Sequence, residues 1–272
     1  MECRVLGTES VQMKLSWYHH MVSGRRSGKG FTLIELLVVI AIIALLMSII
    51  VPTLKRAKEA AKRAVCLQNL KSLTIGWILY VDDNHGEFPK AYVNADDTMY
   101  GLKNIGWIHN LPGDESLKQG VIYPYVGTTK VYRCPVAKKE ELRTYSIPHS
   151  MHGYAGTGYG GGKIATKIND IKTIPANRML FLDDYYSNSD GCFMIWLSRE
   201  AWWNTCPIRH GSGGNTFSFL DGHADFWNWK DQRTIDLVER EGIHWESPDC
   251  IQPGNPDIAR MQKAIWGETT PR

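Results

Sequence analysis

Several common signatures of chemistry are missing from these 272 residues. There is no Cys-x-x-Cys pair, which argues against a zinc knuckle built on neighbouring cysteines. There is no Gly-x-Ser-x-Gly elbow, no His-Glu-x-x-His on a helix and no cysteine in a recognisable catalytic context. The glycine-rich stretch GYAGTGYGGGK, residues 153–163, lacks the Gly-Lys-Ser/Thr of a phosphate-binding loop and reads as a surface loop. Basic charge is also scarce where a nucleic-acid partner would need it. Five of the 31 Lys and Arg and two of the 28 Asp and Glu precede Phe31, which leaves 26 of each sign afterwards. Beyond a short cluster at 55–63 no basic stripe follows, so nucleic acid is not an expected partner.

What the chain has is one long apolar run. Phe31 to Val51 is 21 residues with only Thr32, Glu35 and Ser48 polar. As a helix it would span roughly 30 Å, the thickness of a bilayer core. Arg25, Arg26 and Lys29 precede it and predict a cytoplasmic N-terminus with the remainder exported. No small-x-small cleavage site follows, which separates the run from an ordinary secretory signal. An exported body permits disulfides. Five cysteines lie beyond the run (Cys66, Cys134, Cys192, Cys206, Cys250), so at least one stays unpaired within the chain. The sequence leaves the pairing open, with Cys66–Cys134 the first candidate.

The acid inside the run needs explaining, because a carboxylate in lipid costs a few kcal/mol, about 2.5–3.5 on insertion scales. A cut between Gly30 and Phe31 would give Phe31 a free α-amine one helical turn from Glu35. In a stack of parallel helices, Glu35 of one subunit could neutralise the new N-terminus of a neighbour and set the register.

On these residues, 28–47 with KGFTLIELLVVIAIIALL at their centre, the chain resembles the type IV prepilin and type II secretion pseudopilin family. The resemblance implies cleavage after Gly30 by a prepilin peptidase and methyltransferase, N-methylation of Phe31, and assembly with other pseudopilins by inner-membrane machinery into a pilus-like filament. The leader of 30 residues is long for such a signal, and Met13 and Met21 are internal candidates for the translation start.

Pro52 ends the apolar run and predicts a kink in the helix. Residues 53–81 read as an amphipathic continuation whose apolar stripe is Leu54, Ala57, Ala61, Val65, Leu70 and Trp77. YVDDNHGEFP reads as a plain turn rather than a calcium loop, since the glycine comes a position early and no closing Glu follows. The expected organisation is a leader (1–30), a membrane or filament-core helix (31–52), a spine helix (53–81) and an exported β-rich body (82–272). Short strands and loops are expected over GWIHNLPG and LKQGVIYPYVGTTKVYRCP. RMLFLDD and CFMIWLS flank a hairpin-like connection. NTFSFLDGHADFWNW predicts a hairpin turning at Asp221–Gly222, with Phe217, Phe219, Ala224 and Phe226 on one face against the spine. Helices are expected from Asp231 to Gly242 and from Asn255 to about Gly267. The fold class is α+β: a long kinked N-terminal helix packed on an antiparallel sheet, pilin-like.

A second resemblance rests on CLQNLKSLTIGWILYVDDNHGEFP, VYRCP, PANRMLFLD and RHGSGGNTFSFLDGH, which are similar to large pseudopilin-like proteins of planctomycetes. Their C-terminal motif is His, nine residues, then Asp-Gly. Here ten residues separate His210 from Asp221–Gly222, so His210 departs from the pattern by one position. His210, Asp221, His223 and Asp225 are candidate metal ligands by proximity in sequence, although the hairpin turn accounts for Asp221–Gly222 without chemistry. Asp183–Asp184 reads as a turn entrance. Trp196, Trp202, Trp203, Trp227 and Trp229 offer an alternative reading, a membrane-anchored surface protein with a carbohydrate-binding face. No cofactor and no enzymatic activity are expected.

Overall fold

The computed structural model describes residues 30–91, 106–108, 113–153, 161–184, 191–211, 213–240 and 247–270. Helix α1, Leu33–Asp83, is 51 residues long and contains Pro52. Thr32 precedes it as a capping residue, and the run of Leu, Ile, Val and Ala that follows combines good helix formers with apolar bulk. Pro52 has no N–H to donate. Nearby, the Thr53 hydroxyl donates to the carbonyls of Ile49 and Ile50 at 3.1 and 2.8 Å. The chain divides into two units, Met1–Thr53 and Leu54–Arg272.

In the first unit every residue from Gly30 onward is exposed, Leu33 to 78% and Ile34 to 73%. The second unit contains a five-stranded sheet: β1 Tyr145–Pro148, β2 Met179–Asp183, β3 Cys192–Phe193, β4 Gly214–Phe219 and β5 Ala224–Asn228, in the order β3-β1-β2-β4-β5. Three pairings are antiparallel, but β3 runs parallel to β1. The sheet is therefore mixed rather than antiparallel throughout. β2 and β3 form no hairpin, because β1 lies between them.

The α1 residues from Leu54 onward bury Cys66, Leu70, Leu73, Trp77, Tyr80 and Val81. Leu70 and Trp77 meet the expectation. Leu54 and Val65 remain 63% and 50% exposed, and Ala57 and Ala61 are exposed too, so the buried stripe is rotated toward Cys66. Gly76 lies on this buried face: a Cβ there would stand 2.5 Å from Val126 Cγ2. Its absence lets α3, Tyr123–Val126, pack against the spine. The stretch expected to form short strands instead holds α2, Glu115–Lys118, then α3 and a 3₁₀ turn at Thr129–Tyr132. α1 ends at Asp83, where the Gly86 N–H bonds the Val81 carbonyl and His85 and Gly86 take positive φ.

The β4–β5 hairpin forms, but one residue out of the expected register. Phe219 N–H bonds His223 O at 3.0 Å and Gly222 N–H bonds Phe219 O at 2.9 Å, giving a three-residue loop of Leu220, Asp221 and Gly222. Gly222 has φ +92°, the left-handed conformation that such a loop places on glycine. Phe217 consequently pairs with Asp225, and Thr216 with Phe226. A one-residue slip exchanges the faces. Thr216, Ser218, Ala224 and Phe226 now look toward α1, where Thr74 Oγ1 meets Ser218 Oγ at 2.7 Å and the Arg63 guanidinium sits 4.6 Å from the Phe226 ring centroid. Phe217 and Phe219 look the other way. They join Trp227, Trp229 and α5, Pro256–Trp266, in a second core with Ile258, Met261 and Ile265. The sheet thus carries a core on each face.

The C-terminal helices begin where expected. The Asp231 carboxylate accepts from the Arg233 N–H to start α4, Gln232–Glu239. Asn255 caps α5, which stops at Gly267 in the left-handed conformation. α4 ends at Glu239, earlier than Gly242; residues 241–246 lie outside the described residues, as do Tyr154–Gly160 of the glycine-rich loop.

Candidate functional site

Two places in the molecule concentrate polar groups in unusual surroundings. The first is the start of α1. The Thr32 hydroxyl and N–H both donate to Glu35 Oε2, at 2.7 and 2.9 Å, and the Glu35 N–H donates back to Thr32 Oγ1 at 3.2 Å. Thr32-Leu33-Ile34-Glu35 is a capping box, a Thr N-cap with Glu at the third helical position, which satisfies N–H groups that a helix start leaves unpaired. Glu35 therefore has a partner inside its own chain. The spacing that announces this is Thr-x-x-Glu immediately before an apolar run, a signal present in the sequence. Among the described residues, both bonds to the carboxylate use Oε2 and neither uses Oε1.

The second place lies in the body. Cys66 from α1, Cys134 just after the 3₁₀ turn, Asp183 at the end of β2 and His210 ahead of β4 converge, each buried. One ligating atom from each lies within 4.8 Å of all the others. Cys134 Sγ is 3.2 Å from His210 Nε2. Cys66 Sγ is held by the Tyr145 hydroxyl at 3.0 Å and the Thr216 hydroxyl at 3.2 Å. The Cys134 backbone N–H bonds Thr144 Oγ1 at 2.8 Å, which fixes its loop against the start of β1. The two sulfurs are neighbours, as the sequence expectation for this pair requires, yet both are free thiols.

Asp183 is fully buried, and Arg209 holds it: Arg209 Nε donates to Oδ1 at 2.9 Å while its two terminal nitrogens grip Glu141 at 2.9 and 2.5 Å. Asp183 Oδ2 and His210 Nδ1 are buried with no hydrogen-bond partner among the described residues. Burial raises the Asp183 carboxyl well above the usual range, and the Arg209 charge opposes it. Arg209 is itself pushed upward: burial works against its charge, but Asp183 and Glu141 more than offset that. Burial would raise the Cys66 thiol too, yet hydrogen bonds from Cys134, His210, Thr216 and Tyr145 bring it below the ordinary value. Cys134 moves up, through its contact with Cys66 and then through burial.

This cluster corrects the candidate metal set. His210 belongs with Cys66, Cys134 and Asp183, whereas Asp221 pairs with exposed His223, Nδ1 to Oδ1 2.5 Å, on the hairpin tip. His223 stacks on Phe219 at 4.3 Å, and Asp225 Oδ2 accepts from Trp227 Nε1 at 3.1 Å. Asp183, at the end of β2, is a buried ion-pair partner, and Asp184 Oδ2 accepts from Ser146 Oγ at 2.7 Å. The five tryptophans do not form one surface. Trp202, Trp227 and Trp229 are buried in the second core, while Trp196 and Trp203 pair at 4.7 Å between centroids.

Residues 25–51 match the family model described as the prokaryotic N-terminal methylation motif. Relatives include the type II secretion system core protein G of Pectobacterium carotovorum subsp. carotovorum, 36% identical over 101 residues, which cover 34% of this chain and 64% of that protein. The type IV wide pilus major component PilA4 of Thermus thermophilus is 43% identical over 60 residues, 22% of this chain and 46% of its own length. The type II secretion system core protein G of Klebsiella pneumoniae is 35% identical over 95 residues, 32% of this chain and 67% of its own. The match thus spans less than two thirds of the first two relatives. No solved structure matches.

Proposed function

We propose that this chain, which belongs to the pilin and pseudopilin family, is a structural subunit clipped after Gly30, methylated on Phe31 and assembled through α1 into a type II secretion or type IV pilus-like filament. The observation that supports this reading is the exposure of the first unit. Apolar side chains surround α1 on every side before Leu54 and none is buried. Each Leu, Ile or Val left in water forgoes roughly 1.5–3 kcal/mol of burial. A helix that is apolar all round belongs in lipid or among neighbours. Among the described residues α1 alone is long and apolar enough to cross a membrane. Orientation follows from Arg25, Arg26 and Lys29, which hold the leader in the cytoplasm and put the body outside the inner membrane.

The capping box refines the role of Glu35. Before cleavage the carboxylate is stabilised by Thr32, so the precursor can rest in the membrane without an unpaired acid. After cleavage the α-amine of Phe31 becomes available, and Oε1 can accept it from a neighbouring subunit while Oε2 keeps its bonds to Thr32. The acid then stabilises the helix in one chain and sets the stagger between two. Partners are the prepilin peptidase and methyltransferase, other pseudopilins and the assembly machinery of the inner membrane. The role is mechanical, not enzymatic. The test is a Glu35→Val chain in its native host. Processing by the peptidase should persist while filaments disappear from sheared-cell and electron-microscopy fractions; filaments at wild-type level would refute the assembly role.

A further inference from the structure

We propose that Cys66, Cys134, Asp183 and His210 form a closed structural site for a divalent transition metal of thiolate-binding character, Zn²⁺ being the ion whose chemistry fits. The donor set is two sulfurs, one imidazole nitrogen and one carboxylate oxygen, all buried and mutually within 4.8 Å. Tetrahedral coordination with metal–ligand distances of about 2.0–2.3 Å requires donor–donor edges of roughly 3.3–3.8 Å. The Cys134–His210 edge, at 3.2 Å, is already close to that, and the 4.8 Å bound on the others leaves about an ångström of inward settling.

The polar atoms around the cluster point the same way. Asp183 Oδ2 has no hydrogen-bond partner among the described residues at zero exposure, a position that costs about 1–3 kcal/mol when nothing compensates it. A cation between the four donors supplies the missing partner. Oδ1 is meanwhile oriented by Arg209, and Cys66 Sγ lies within reach of two hydroxyl donors, Tyr145 and Thr216, the outer shell that a metal thiolate uses. Two thiolates and a carboxylate around a divalent ion leave one net negative charge, which lies beside the Arg209 guanidinium. A Cys66–Cys134 disulfide would use the two sulfurs and leave Asp183 Oδ2 unexplained. With four protein donors and no exposed face, the site has no open coordination position and serves structure rather than chemistry. It would join α1, the loop after Tyr132, the end of β2 and the approach to β4, elements that lie far apart in sequence. Binding releases the thiol protons, so the ion is held in the folded body and lost with it.

The test uses the full chain in detergent, purified without a polyhistidine tag, with metal measured by elemental mass spectrometry and Co²⁺ titrated in after reduction. The expected result is one zinc per chain, and a cobalt form with thiolate charge-transfer and tetrahedral d–d absorption. Cys134→Ser and His210→Ala should weaken Co²⁺ binding by more than about tenfold, while His223→Ala, on the hairpin tip, should leave it unchanged. Because the wild-type cobalt spectrum needs no variant to fold, it is decisive alone. Trace metal with no cobalt bands would overturn the site. So would a native Cys66–Cys134 disulfide, seen as a non-reduced mass two hydrogens lower with no bound metal.

Discussion

From Gly30 to Thr53 almost every side chain is apolar and none is buried, whereas the residues from Leu54 onward bury Glu141, Asp183 and Asp184 along with their aromatic core. The first stretch puts outside what a soluble domain puts inside, and the second does the reverse with charge. The difference shows where each region finds its missing partners. In the body every such charge is answered from within, by Arg209 between Glu141 and Asp183 or by Ser146 on Asp184. In the first stretch the one acid is answered locally by Thr32, and the apolar surface stays exposed among the described residues. That surface needs lipid or another subunit, and this is what separates an assembly element from a folded one.

The largest break in this comparison is Glu35→Val, which should reduce filament yield to background while N-terminal processing proceeds. Next comes the charge inside the body. Arg209→Met leaves Glu141 and Asp183 buried without their cation and should lower stability by about 3–5 kcal/mol, read as the midpoint of guanidinium unfolding followed by tryptophan fluorescence. An unchanged midpoint would mean the network is not what holds these acids. A third pair sharpens the boundary along α1 itself. Leu70→Ala, fully buried, should cost about 2–5 kcal/mol, and Leu54→Ala, 63% exposed, within about 0.5 kcal/mol. Equal losses would put Leu54 in the core.

The smallest effect is a pH dependence at His152. Burial holds this imidazole below its ordinary value of 6.5, while its Nδ1 lies 2.6 Å from Phe88 O. Lys90 adds to the depression and Glu87 opposes it. The unfolded chain therefore takes up the proton first, and stability should fall as pH drops through about 6.5. His152→Asn, which tolerates the positive φ of 58° at this position, should flatten that slope. An identical slope in both chains would assign the dependence elsewhere.

The parts visible in the sequence were those set by local pattern. The apolar run, the Asp231 and Asn255 caps and the β4–β5 hairpin all rest on residues within a few positions of each other. The register of that hairpin was not visible, because Asp-Gly serves two-residue and three-residue loops alike, and the choice exchanges which of Phe217 and Phe226 faces the spine. The spine stripe erred for a related reason: Val65 is the more apolar neighbour, but the sheet meets Cys66. Least visible was the body cluster. Nearness in the chain groups His210 with Asp221, His223 and Asp225, while its neighbours in space, Cys66, Cys134 and Asp183, come from three other elements that only the fold brings together.

The central claim is that the mature chain begins at Phe31, two residues ahead of α1. Mass spectrometry of the N-terminal peptide isolated from membranes tests it most directly. The account predicts a peptide starting at Phe31 and carrying one methyl group on its α-amine. A mature chain that still contains Arg25, Arg26 or Lys29 ahead of Gly30 would contradict it.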